Sequence, residues 1–308
     1  MPLNPAASVL DNAKILGQAA ALAYNTPEIC ESWAVAQGFT PGTLESFDAV
    51  DTEGFVVQND TDMVVAFRGT QPNRAMDWLS DVRALHGDWA HTGGRVHRGF
   101  YHALEVVWRN SGDTLPKRLI NHDNRRVWIT GHSLGGALAE LCAARACFDS
   151  AITSIPIEAV YTFGQPRVGD ANFATLLHDK MGVHVHRFVN DRDIVPRVPF
   201  FTGNYRHYGN VTLFNEAGEA SDETSSVETL KGAIALAKGA LSADALKEIG
   251  HLVADVIKGK LHGLSLESLE DVLHERLKTI AQDSIENISD HDMRKCYLER
   301  LKAPLATV

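Results

Sequence analysis

The chain has 308 residues, 44% of them hydrophobic, and 29 Lys and Arg against 39 Asp and Glu give a formal charge of −10. That apolar share is ample for one large core, while the negative charge, with a pI near 5.8, argues against nucleic acid as a partner and against electrostatic docking on anionic membranes. No run of 18 apolar residues occurs, which argues against a transmembrane helix. The start, Met1-Pro2-Leu3-Asn4-Pro5, lacks a basic segment, so no signal peptide is expected. Cys30, Cys142, Cys147 and Cys296 are scattered without C-x-x-C spacing. They read as buried, reduced thiols, which points to the cytoplasm, and no metal site is suggested.

In chain order, residues 8–24 carry a 3.6-residue apolar stripe and predict a helix that Pro27 ends. Residues 31–45 read as loop, and 44–51 and 54–58 as strands before the turn Asn59-Asp60. Met63-Val64-Val65-Ala66-Phe67 is a continuous apolar run, the mark of a strand covered on both faces of a mostly parallel sheet. Helices are expected over 75–85, from Phe100 to about Asn110, over 115–121, from Gly136 onward and over 170–181. Strands are expected over 127–130, 160–163 and 183–189. Alternating strands and helices predict an α/β, doubly wound sheet, with ligands at the carboxyl ends of strands. Thr70, Ser133, Gln165 and Asp193 fall at such ends. Beyond residue 216 the pattern changes to three amphipathic stretches, 227–241, 243–261 and 266–288. The expected organisation is a single domain over 1–308 with a helical insertion, 217–288, serving as a cap or covering layer.

The chemistry centres on Gly131-His132-Ser133-Leu134-Gly135. A bare G-x-S-x-G arises by chance in roughly one such chain in ten, but here a β-branched strand precedes it and a helix-favouring run follows. That context holds a serine proud of a sheet, at the positive end of a helix. A serine hydroxyl needs a base to take its proton, and imidazole, with its pKa of about 6.5, fits that task. A carboxylate then fixes the imidazole tautomer. Asp191 and Asp193 both follow the strand over 183–189. Downstream histidines are His207, His251, His262, His274 and His291; the middle three read as helix-surface residues, leaving His207 and His291. His184 and His186 alternate on a strand without a third ligand at metal spacing.

Several separate blocks resemble the class 3 (fungal-lipase-like) family of α/β-hydrolases. They are Phe67-Arg68-Gly69-Thr70 with Asp77-Trp78-Leu79-Ser80-Asp81, Val96-His97-Arg98-Gly99-Phe100, Gly131 to Gly136, Tyr161 to Gly169, and Asn190 to Pro196. The likeness covers about residues 47–214. It implies the α/β-hydrolase fold, with Ser133 as nucleophile, Asp193 as acid, and the backbone N–H groups of Thr70 and Leu134 as oxyanion donors. Asp290-His291 followed by Tyr297 resembles the family's histidine block, which implies His291 as the base and demotes His207 to a structural histidine. The implied activity is that of a serine carboxylic-ester hydrolase, a lipase or esterase cleaving acylglycerols through an acyl-enzyme with no metal or organic cofactor. Phospholipase A1 and feruloyl-type esterases share these motifs, and a non-catalytic binding protein on the same fold is the reading from another class. The implied partner is a lipid ester, met at a lipid–water interface. Because residues 71–77 are short and polar, interfacial activation is expected to be weak unless 217–288 supplies an apolar underside.

Overall fold

The computed structural model describes residues 3–49, 52–69, 86–89, 93–109, 115–149, 155–190, 193, 195–199, 205–215, 217–221, 291–303 and 305. Helix α1 (Val9–Leu22) begins where the Ser8 Oγ accepts the Asp11 N–H at 3.2 Å, a side-chain cap for an otherwise orphan donor. Pro27 does not only end what precedes it. It opens a second helix, α2 (Pro27–Ala36), because a proline in the first turn removes an N–H that would have had no partner anyway. The loop expected over 31–45 is thereby corrected in its first six residues.

The strands are β1 (Glu45–Ala49), β2 (Thr52–Gln58), β3 (Asp62–Phe67), β4 (His86–Asp88), β5 (Arg95–His97), β6 (Arg126–His132), β7 (Ile157–Phe163), β8 (Gly169–Asp170), β9 (Val185–Asn190), β10 (Tyr205–Arg206), β11 (Asn210–Phe214) and β12 (Ala220–Ser221). The other helices are α3 (Arg98–Arg109), α4 (Leu115–Ile120), α5 (Leu134–Phe148) and α6 (Ala171–Met181). The main sheet runs β1-β2-β3-β6-β7-β9-β11-β12. From β3 to β11 neighbours are parallel; β1, β2 and β12 pair antiparallel at the edges. A small antiparallel sheet, β10-β8-β5-β4, was not expected, since strands of two or three residues carry no readable period.

The apolar run of β3 explains the layering. Val65 and Phe67 face one core, with Leu104 of α3 and Leu138 and Leu141 of α5; Val64 and Ala66 face the other, with Leu16 and Ala20 of α1. Both faces are covered, as the run predicts. The second core also takes in Tyr297, Leu298 and Leu301, so the tail after His291 packs beside α1. Gly17 permits this: a Cβ there would stand 3.0 Å from the Leu301 Cδ1 and 3.3 Å from the Phe163 ring. The helices expected over 75–85 and within 217–288 lie outside the described residues.

Candidate active site

Parallel strands β6, β7 and β9 end side by side, with His132 beside Phe163 and Phe163 beside Phe188 in register. Ser133 is the single residue between β6 and α5. Its φ of +58° and ψ of −128° lie in a region that costs a non-glycine residue on the order of 1–3 kcal/mol. The flanking glycines make so sharp a turn possible. A Cβ on Gly131 would stand 2.2 Å from the Gly135 carbonyl oxygen, and one on Gly135 would stand 2.4 Å from that of Phe67. The Ser133 carbonyl accepts from Gly136 and Ala137 at 3.0 and 3.3 Å, so α5 starts at once. Leu134 opens that helix, and its N–H is among the donors that have no partner within the helix.

The end of β3 closes on this turn. A Cβ on Gly69 would stand 2.5 Å from the His132 carbonyl oxygen and 3.2 Å from the Ser133 Cβ. Thr70, the next residue, lies outside the described residues, as do Asp191 and the segment 71–77.

Asp193 is fully buried just past β9. Its Oδ2 accepts the His291 Nδ1–H at 2.8 Å and the Tyr297 hydroxyl at 2.5 Å, and its Oδ1 accepts the Val195 N–H at 2.9 Å. Burial first, then the Asp193 carboxylate, pushes the Tyr297 hydroxyl well above the usual tyrosine range, which keeps it a donor. Tyr297 also accepts the Asn190 N–H at 3.2 Å. The structure thus brings Asp193 and His291 together across 98 positions of sequence.

With Nδ1 committed to the carboxylate, Nε2 is the free nitrogen of His291. The His291 Nε2 and the Ser133 Oγ are both buried without a hydrogen-bond partner. Those are the two atoms that serine acyl transfer would employ. Gly164, at φ +59°, passes beneath the pair; a Cβ there would stand 2.7 Å from the Asp193 Oδ2 and 2.8 Å from the His291 Cε1.

His207 stands elsewhere. Its Nε2–H donates to the Pro196 carbonyl at 2.7 Å, and burial, with Arg187 and Arg167 nearby, holds its pKa well below the usual histidine value. It braces the loop that follows Asp193. His184 bonds the Glu158 carbonyl and His186 lies against the Tyr161 ring. Among the described residues, no three His, Cys, Asp or Glu side chains are grouped to hold a metal ion, and no helix is long and apolar enough to cross a membrane. The four cysteines form no disulfide, and Cys30 and Cys142 are buried. Residue reasoning missed Gly164, Asn190, and the links that Tyr24 and His132 make to this site. Only Tyr297 carried a signal, through its spacing from His291.

The profile of the family described as Lipase (class 3) matches residues 64–203. A lipase of Rhizomucor miehei is 33% identical over 162 residues, covering 52% of this chain and 44% of its own length. One of Rhizopus niveus is 32% identical over 205 residues, covering 65% and 51%. The chain therefore spans about half the length of these curated relatives. A solved structure of a triacylglycerol lipase, described as having a serine protease triad as its catalytic centre, superposes with a TM-score of 0.60 at 26% identity, over 73% of this chain and 90% of that one. The Rhizomucor miehei triacylglyceride lipase superposes with a TM-score of 0.59 at 26% identity, over 71% and 89%. With a largely parallel sheet covered on both faces and a strand-turn-helix serine, the chain has the α/β-hydrolase fold. Residues 64–203, which hold both the Ser133 turn and Asp193, match the class 3 lipase family.

Proposed function

We propose that the protein is a serine hydrolase of carboxylic esters that cleaves acylglycerols through an acyl-enzyme. The observation that carries this reading is the buried Asp193–His291 pair, together with the buried, unpaired His291 Nε2 and the equally unpaired Ser133 Oγ on its strained turn. Ser133 attacks the ester carbonyl as His291 takes its proton, and Asp193, held by Tyr297 and Val195, stabilises the imidazolium. The N–H groups of Leu134 and Thr70 receive the developing oxyanion, where one donor is worth about 3 kcal/mol of barrier. His291 then hands its proton to the leaving alcohol, and water, activated by the same imidazole, releases the acid. No step calls for a cofactor. The likeness to lipases supports a lipid ester as substrate, presented at a lipid–water interface.

The test is hydrolysis of p-nitrophenyl esters of short and long acyl chains, dissolved and emulsified, with fluorophosphonate labelling alongside. Wild type is expected to hydrolyse and be labelled. Ser133→Ala and His291→Ala should lose at least about 10⁴-fold in kcat, whereas His207→Ala should retain turnover wherever it folds. An unlabelled wild type, or a Ser133→Ala variant as fast as wild type, overturns the reading and leaves a binding protein on a hydrolase fold.

A further inference from the structure

The mechanism leaves unused two side chains that touch the site from behind. His132, the last residue of β6, is buried, and its Nε2 lies 2.7 Å from the His291 carbonyl oxygen. A carbonyl only accepts, so this nitrogen carries the ring proton. The tautomer is then settled: Nδ1 keeps its lone pair, and the Tyr24 hydroxyl, 3.1 Å away, donates to it. The Tyr24 oxygen also lies against the end of β3: a Cβ on Gly69 would stand 2.3 Å from it. One line of contacts therefore runs from Gly69, packed on Tyr24, through the hydrogen bonds of Tyr24 and His132 to the main chain of His291. Its two ends are the residue before Thr70 and the base itself. The His132 and His291 rings also face each other, with centroids 4.4 Å apart and planes 31° apart.

We propose that Tyr24 and His132 are positioning residues, which hold the end of β3 and the backbone of His291 in register on either side of Ser133 and keep a neutral imidazole against the ring of the base. This rests on the serine-hydrolase reading above. The physical need is specific. The His291 ring gains a positive charge during turnover, and a second charged ring in contact would oppose that charge. Both His132 nitrogens are occupied in the neutral form, and the groups facing it, His291, Tyr24 and Tyr297, offer no counter-charge; burial and His291 hold its pKa well below the usual histidine value. Around Tyr24 the charged neighbours are Arg68, 5.8 Å from the ring centroid, and Asp292. Neither takes the place of the hydroxyl in donating to His132.

Four variants of the full chain decide the matter: Tyr24→Phe, His132→Leu, His132→Gln and Ser133→Ala. Each is compared with wild type in kcat and KM on a dissolved short-chain p-nitrophenyl ester, fluorophosphonate labelling rate, and Tm. Tyr24→Phe keeps the ring and removes the oxygen, so it should lower kcat and labelling about tenfold with KM within about twofold, because small displacements of reacting groups cost rate rather than binding. His132→Leu should lose about 100-fold, and His132→Gln should recover most of that, since its amide N–H can reach the His291 carbonyl. If Tyr24→Phe, folded as wild type, keeps kcat within twofold, the proposal is wrong, whatever His132→Leu does to folding. A loss confined to KM, or a glutamine variant as slow as the leucine one, also overturns it. A labelled wild type with unaffected variants sinks this inference alone, whereas a wild type that resembles Ser133→Ala removes the serine-hydrolase reading with it.

Discussion

Gly164 shows how little room the Asp193–His291 pair leaves. At φ +59° its backbone suits glycine, and a methyl group would overlap both the Asp193 carboxylate and the His291 ring. Gly164→Ala should therefore cost about 1–3 kcal/mol of stability and about 100-fold in kcat, read from thermal melts and ester hydrolysis. Unchanged kcat in a folded variant would contradict the ring placement. Residues differ in how visible they are in the sequence. Ser133 is legible because its glycines answer a steric demand that the motif itself exposes. Asp193 is legible less directly, since Asp191 lies two positions away in sequence and only the family likeness separates the two. His291 is hard to read, because the pairing spans 98 positions and no local pattern encodes it. His291 is buried and His207 partly so, each beside polar groups. What separates them is a partner, a carbonyl in one case and a carboxylate in the other.

At the scale of elements, period and length decide what can be read. The five apolar residues 63–67 state plainly that β3 is covered on both faces, yet they cannot say that β2 pairs with it antiparallel. Helix α2 was hidden because a proline that stops one helix also starts the next. The strands of the small sheet are held by tertiary pairing rather than by their own composition. One element carries a polar anchor that tests the packing independently of the chemistry. At the start of β3, far from the Ser133 turn, Asp62 accepts the Trp128 Nε1–H at 2.7 Å and two Arg126 donors at 2.9 and 2.8 Å. Asp62→Ala leaves the buried indole N–H unpaired, and the expected loss is about 2–4 kcal/mol in urea denaturation. Because the anchor lies at the opposite strand end, kcat of the folded variant should match wild type. A loss below about 0.5 kcal/mol would mean that the anchor adds little to the sheet.

For the whole molecule, buried titratable groups set opposing limits on pH. Glu140, on α5, is fully enclosed and accepts from the Gln165 amide; burial pushes its carboxyl up to about 8, against the pull of Gln165 and Arg187. Below pH 4.5 it is neutral in both folded and unfolded chains, so its stability contribution is intact there. Between about 4.5 and 8 the unfolded chain releases the proton while the fold retains it, and stability falls as pH rises. His132 and His207 act in the other direction. Both are held neutral in the fold, so stability falls as pH drops below the ordinary histidine value of 6.5. Glu140→Gln keeps an acceptor for Gln165 and removes the first limit. It should raise Tm by about 3 °C or more at pH 8 and hardly at all at pH 4.5. Equal Tm changes at the two pH values would rule out proton uptake as the cause.

The tail that bears His291 and Tyr297 is seated on α1, close to residue 1, while Ser133 follows a strand nearer the middle of the sequence. Such distant partners meet late in a folding chain, since each long closure carries an entropic penalty that local contacts avoid. On the proposed mechanism, a molecule that has formed its sheet and its serine turn, but has not yet seated this tail, would hold the Ser133 hydroxyl without its base and could not turn over. Competence for the proposed reaction would thus report completed folding, because it needs α1, the serine turn and the His291 tail together.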